Sequence, residues 1–303
     1  MRLPKPPPGL KPLLPLVVGA VVVALLAGVV IGRLLPASAG APVETQAESS
    51  ASADGGHTHG GGSTEESEPA DLEGLSLSAS GFTLVPKDTE VGQSGEAKPW
   101  AFTITDVEGE PITKFATLHD KKMHLFAVRR DFTGYQHLHP VMDPDSGLWS
   151  TDITFDTPGG WRVIADFAVG GGKDVTPATL GTDVTVPGDY EPAALPEPKT
   201  TAKTDSFDVT LDFKPELGAS APALIEVTKD GKAADLERYL GAHGHLVLLR
   251  QDDMGFAHVH PDSKRVDGEL RFWATVPSKG DYRAFLDFKV DGKVRTAAFT
   301  ITV

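Results

Sequence analysis

An internal repeat constrains this chain more than any other feature. The stretch "MHLFAVRRDFTGYQHLHP" (Met123–Pro140) aligns without a gap to "GHLVLLRQDDMGFAHVHP" (Gly244–Pro261). The flanks follow suit. "GFTLVPKDTEVGQSGEAKPWAFTITDVEGEPI" corresponds to "SFDVTLDFKPELGASAPALIEVTKDGKAA", and "TPGGWRVIADF" to "VPSKGDYRAFLDF". His124, His137, His139 and Asp166 therefore correspond to His245, His258, His260 and Asp287, each pair at one constant offset. A chain that writes one unit twice builds one architecture twice.

Each copy reads as strands. Short runs rich in Val, Ile, Thr, Phe and Trp, such as "WAFTITD", "STDITFDT" and "WRVIADFAV", are separated by Gly, Pro and Asp turns. "ADLERYLGA" holds one helical turn or two at most. The expected fold is all-β: two tandem antiparallel β-sandwiches of about seven strands each, immunoglobulin-like in the broad sense. A small up-and-down barrel is the alternative. The first sandwich is expected over 72–187 and the second over 204–303, with a Pro-rich linker at 188–203 between them. Each copy carries its own strand signals, so each half is expected to fold by itself.

Ahead of the repeats the sequence changes character. Residues 1–12 hold Arg2, Lys5 and Lys11 among prolines. Leu16–Gly32 then carries no charge, and Leu13 and Leu14 extend the run. At about 1.5 Å per residue such a stretch just spans a bilayer core. Residues 13–35 are read as a single transmembrane signal anchor, with the basic flank cytoplasmic and the body outside. Small residues at Ala37–Ala39 leave open a cleaved signal peptide and a secreted body. Residues 36–71 are acidic and Gly/Ser-rich, with no apolar period, and read as a disordered stalk carrying His57 and His59.

Composition narrows the function classes. A formal net charge of -14 argues against nucleic acid as a partner. The absence of cysteine removes disulfides, thiolate catalysis and Cys-ligated metal centres. No P-loop, dinucleotide fingerprint or serine elbow appears, so an enzyme is not expected.

Apart from His57 and His59, every histidine lies around the two His-x-His-Pro stretches. Residues i and i+2 of a strand share a face, so His137 projects with His139 and His258 with His260. A hairpin about Gln251–Asp253 would bring His245 opposite them. Directly opposed positions lie about 4.5–5.5 Å apart. Two sites follow from this reading: His245, His258 and His260 with His243 as a fourth, and His124, His137 and His139 with His119 added. Neutral imidazoles suit copper or zinc. The competing reading makes the histidines hydrogen-bonding fixtures, recurring through common descent of the copies. Asp166 and Asp287 sit in apolar strands. Either they face solvent at an edge, or each accepts a His N–H and orients it from behind. Met123, Met142 and Met254 lie nearby and are read as packing.

The second hairpin, "YLGAHGHLVLLRQDDMGFAHVHP" followed by "VPSKGDYRAFLDF", resembles a domain of bacterial exported and membrane-anchored proteins with a "YLGA-x-GH … HxHP … PG-x-Y" pattern. The resemblance covers Leu236–Val303 well and the first copy more loosely, since "FATLHDKK" replaces "YLGA" there. It implies a β-sandwich and a link to heavy-metal handling beside a transporter or another envelope protein. The resulting expectation is an envelope protein that captures copper or zinc. The alternative is a metal-free adhesion or scaffold module.

Overall fold

The computed structural model describes residues 72–92 and 95–303. The basic tail, the apolar run and the stalk with His57 and His59 lie outside the described residues. Among the described residues no helix is long and apolar enough to cross a membrane.

The first copy contributes β1 (Ser78–Ala79), β2 (Phe82–Pro86), β3 (Ala97–Thr105), β4 (Met123–Arg129), β5 (Gln136–Leu138), β6 (Val141–Met142), β7 (Leu148–Thr154), β8 (Gly159–Gly171) and β9 (Asp174–Val186). The second contributes β10 (Thr201–Thr204), β11 (Phe207–Phe213), β12 (Ser220–Lys229), β13 (Lys232–Ala233), β14 (Gly244–Arg250), β15 (Phe256–Ala257), β16 (Val259–Pro261), β17 (Leu270–Thr275), β18 (Asp281–Val290) and β19 (Lys293–Thr302). The first copy forms sheets β1-β2-β3-β7-β6 and β5-β4-β8-β9. The second repeats them as β10-β11-β12-β17-β16 and β15-β14-β18-β19, with β13 added on β12. Strand neighbours pair antiparallel. The architecture is two sandwiches, each of two separate sheets. Strand β10 opens the second one inside the last residues expected as linker. No helix forms in "ADLERYLGA"; Glu237 instead bridges to Lys289 of β18.

Side-chain alternation gives each sandwich its core. In β4, Met123, Leu125 and Ala127 point into the first core with Trp100, Trp149, Trp161 and Phe167. In β14, Leu246 and Leu248 point into the second with Phe272 and Phe288. The other face of each strand is also buried. Phe126, Val128, Phe132 and Ile164 of the first copy pack with Val247, Leu249, Met254, Phe256 and Phe285 of the second. Tyr135 stacks on Phe285 with ring centroids 4.0 Å apart. The outer faces of β4–β8 and β14–β18 thus form a third cluster between the sandwiches. The expectation of two halves folding independently meets this shared cluster, in which each large side chain contributes about 1.5–3 kcal/mol by leaving water.

The segment ahead of β1 ties the copies together as well. Glu73 exchanges backbone hydrogen bonds with Phe256 of the second copy, 2.9 Å in each direction. Gly74 N–H donates to Thr179 O of the first copy at 3.1 Å. Arg162 donates to the carbonyls of Gly74 and Leu75, each at 2.7 Å.

Candidate metal centre

The polar ends of β4 and β14 meet at one end of the shared cluster. His124 follows Met123 on β4 and shares the outward face with Phe126. His245 follows Gly244 on β14 and shares its face with Val247 and Leu249. Their rings stack at 5.3 Å, inclined by 12°. His137 arrives from β5, where it pairs with Phe126. Its ring lies 5.3 Å from His124 and 4.6 Å from His245. One nitrogen from each of His124, His137 and His245 falls within 4.8 Å of the others. The site is composite: two imidazoles from the first sandwich and one from the second.

Hydrogen bonds assign the tautomers. His124 Nε2–H donates to Leu118 O at 3.0 Å, so its neutral ring keeps a lone pair on Nδ1. His137 Nδ1–H donates to the Asp287 carboxylate at 2.8 Å, so its lone pair is on Nε2. Those two lone pairs face each other across 3.1 Å. The buried Nδ1 of His245 has no hydrogen-bond partner among the described residues. Nitrogens arranged this way repel unless a proton or a cation lies among them. A proton on His124 or His245 is disfavoured. Burial first, then His137, holds His124 down to about 3. Burial with the neighbouring imidazoles pushes His245 well below the ordinary histidine value.

Asp287 backs the site from the second copy. It is 2% exposed. It accepts from Thr296 Oγ1 at 2.5 Å and from the Tyr135 hydroxyl at 3.4 Å besides His137. Burial and the Asp287 charge push the Tyr135 hydroxyl well up, and those same causes push Tyr239 up to about 12. Both phenols are therefore donors or bystanders at neutral pH. Asp287 thus contacts a histidine of the other copy rather than one of its own.

The remaining candidates divide. His139 joins the cluster, its ring 4.8 Å from His137 and 5.1 Å from His124, with Nε2 buried and without a hydrogen-bond partner. Burial, His137 and Lys121 hold it down to about 3. His119 lies 6.1 Å from His124 and 5.9 Å from His245. It occupies a two-residue turn between Leu118 and Lys121, with φ of 46° and 63° at His119 and Asp120. Tyr239–Ala242 closes the same turn in the second copy, with Leu240 at the place of His119. His119 is thus no counterpart of His243.

The second-hairpin site is not formed. Strand β15 pairs Phe256 and Ala257 with β14 and then stops. The chain crosses to the other sheet, where Val259 and His260 pair with Ala274 and Trp273 of β17. His258 falls at the crossing and His260 on the far sheet. Both are exposed, their rings 4.1 Å apart, on a different sheet from His245. His243 turns to a small recess lined by Pro261, Asp262, Arg265 and Arg271. Asp166 lies opposite His124 in register, but its carboxylate bonds to Thr179. It accepts from Thr179 Oγ1 at 3.1 Å, and that hydroxyl lies 2.7 Å from Glu73. Burial above all raises Asp166 to about 7. Met123, Met142 and Met254 pack in the apolar clusters, as expected.

Tyr135, Tyr239 and Thr296 were not singled out from sequence. The first lies two residues before His137 on the same face, a periodicity that carries it to Asp287.

A domain of unknown function (DUF8832) matches this chain twice, over residues 79–185 and 202–303. The chain belongs to that family. No curated protein matches it. Among solved structures, the Yersinia pseudotuberculosis adhesin InvE is 13% identical, with 76% of this chain and 61% of the adhesin aligned at a TM-score of 0.21. A Salmonella alpha-2-macroglobulin is 13% identical over 77% of this chain and 15% of its own length, TM-score 0.26. Invasin, a bacterial integrin-binding protein, is 15% identical over 73% and 38%, TM-score 0.22.

Proposed function

We propose that this protein captures copper or zinc at the histidine site between its two sandwiches, outside the cytoplasm and tethered by residues 13–35. The observation that carries the reading is the pair of facing lone pairs on His124 and His137, 3.1 Å apart, beside the unpartnered nitrogen of His245. A cation with affinity for nitrogen relieves that repulsion and satisfies all three atoms. Carboxylate–histidine pairs such as Asp287–His137 are the usual backing of metal-bound imidazole. Absence of thiolates suits copper or zinc held by nitrogen alone. The reading is of binding and delivery to an envelope partner such as a metal transporter, not of catalysis. Metal analysis of the full chain, purified without a histidine tag and dialysed against chelator-free buffer, tests it. The expected result is about one equivalent of copper or zinc retained or taken up, lost in a His124→Ala/His137→Ala variant. A folded protein that takes up neither metal would replace this reading with a metal-free adhesion or scaffold module.

A further inference from the structure

Two sets of three imidazoles share the His124–His137 edge. The inner set adds His245, which is 8% exposed. The outer set adds His139, which is partly exposed and belongs to the same copy as His124 and His137. Ring centroids within the outer set lie 5.3, 5.1 and 4.8 Å apart, beside 5.3, 5.3 and 4.6 Å in the inner set, which among the described residues is the set whose nitrogens already converge within 4.8 Å. His139 and His245 each have one buried ring nitrogen without a hydrogen-bond partner.

We infer that His124, His137 and His139 form an outer copper- or zinc-binding position, from which the ion moves inward by exchanging His139 for His245. This rests on the metal reading of the inner set. An ion bound in water must shed its shell before reaching a site closed by two sandwiches. A partly exposed imidazole that shares two ligands with the buried set lets it do so without ever being left unliganded. The exchange breaks one metal–nitrogen bond and forms another, with no change of oxidation state. The exposed carboxylate of Asp120, on the neighbouring turn, and the net charge of -14 favour approach of a cation.

The test uses the full chain with His57, His59, His258 and His260 changed to alanine, so that no other histidine pair competes. Zn(II) is supplied from a chromophoric chelator, and both uptake rate and equilibrium affinity are read. His139→Ala should slow loading at least tenfold and leave affinity within about threefold. His245→Ala should keep a weaker Zn(II) site, at least tenfold below the parent, which disappears on adding His139→Ala. His139→Asn and thermal unfolding serve as checks on folding. Unchanged loading in His139→Ala, or complete loss of binding in His245→Ala, overturns the outer position and leaves the inner site standing. Equal loss of affinity in the two single variants overturns it in favour of one four-histidine site. A parent chain that takes up no Zn(II) or copper removes the inner site as well.

Discussion

Asp287 and His137 sit on different copies, yet their 2.8 Å contact orients the imidazole that the site turns on. Asp287→Asn keeps the shape and loses the charge. It should weaken metal affinity by about 10–100-fold, the usual cost of removing such a partner; competition against a chelator of known affinity measures it. Protonation gives a second expectation. In the metal-free protein, His124 and His139 are held to about 3 against 6.5 when unfolded. From pH 6.5 down to about 3 the unfolded chain takes up protons that the folded chain refuses. Their contribution to stability is full above pH 6.5 and is lost progressively as pH falls. His245 acts in the same direction. Asp166 acts oppositely: raised from 3.8 to about 7, its contribution is present below 3.8 and lost as pH rises through 7. Three histidines outweigh one carboxyl, so the urea midpoint should be lower at pH 4.5 than at pH 6.5. A higher midpoint at pH 4.5 would refute this balance.

At the scale of elements, β4 and β14 are apolar at nearly every position and buried on both faces. Alternation in "HLH" puts His137 and His139 on one face, and the same period, not followed back from the sequence, extends that face to Tyr135. The turn residues about Gln251–Asp253 made the hairpin joining β14 to β15 legible. The clue that the outer faces meet was also present. "LFAV" and "LVLL" leave no polar face for solvent. What the sequence could not show is where the strand after each hairpin changes sheet. That crossing depends on which partner strand wins the backbone hydrogen bonds, and in the second copy it removes His258 and His260 from His245. The corresponding motifs "HLHP" and "HVHP" thus take unlike places. Two substitutions probe the docking. Phe126→Ala leaves a void in the shared cluster and should cost about 3–5 kcal/mol in urea unfolding. A Cβ at Gly181 would lie 1.9 Å from Gly74 O. Gly181→Ala should therefore lift the segment ahead of β1, seen as faster amide exchange at Gly74.

For the whole molecule, a histidine cluster assembled from both copies makes the pair of sandwiches the unit on which the proposed function rests. Repetition alone suggested two equivalent sites; duplication instead supplied two faces for one. The second copy alone, Thr201–Val303, would expose Val247, Leu249, Phe256 and Phe285, and should unfold less cooperatively than the full chain and bind no metal tightly. The proposed tether belongs to this scale too. Protease added to intact cells should degrade the sandwiches, and protection until lysis would reverse the orientation. The most direct measurement is calorimetric titration of Zn(II) and Cu(II) into three full-length chains: the parent, His245→Ala, and His258→Ala/His260→Ala. The composite site predicts at least tenfold weaker binding in His245→Ala and affinity within about threefold of the parent in the double variant. Loss of binding in the double variant with His245→Ala unaffected would contradict it.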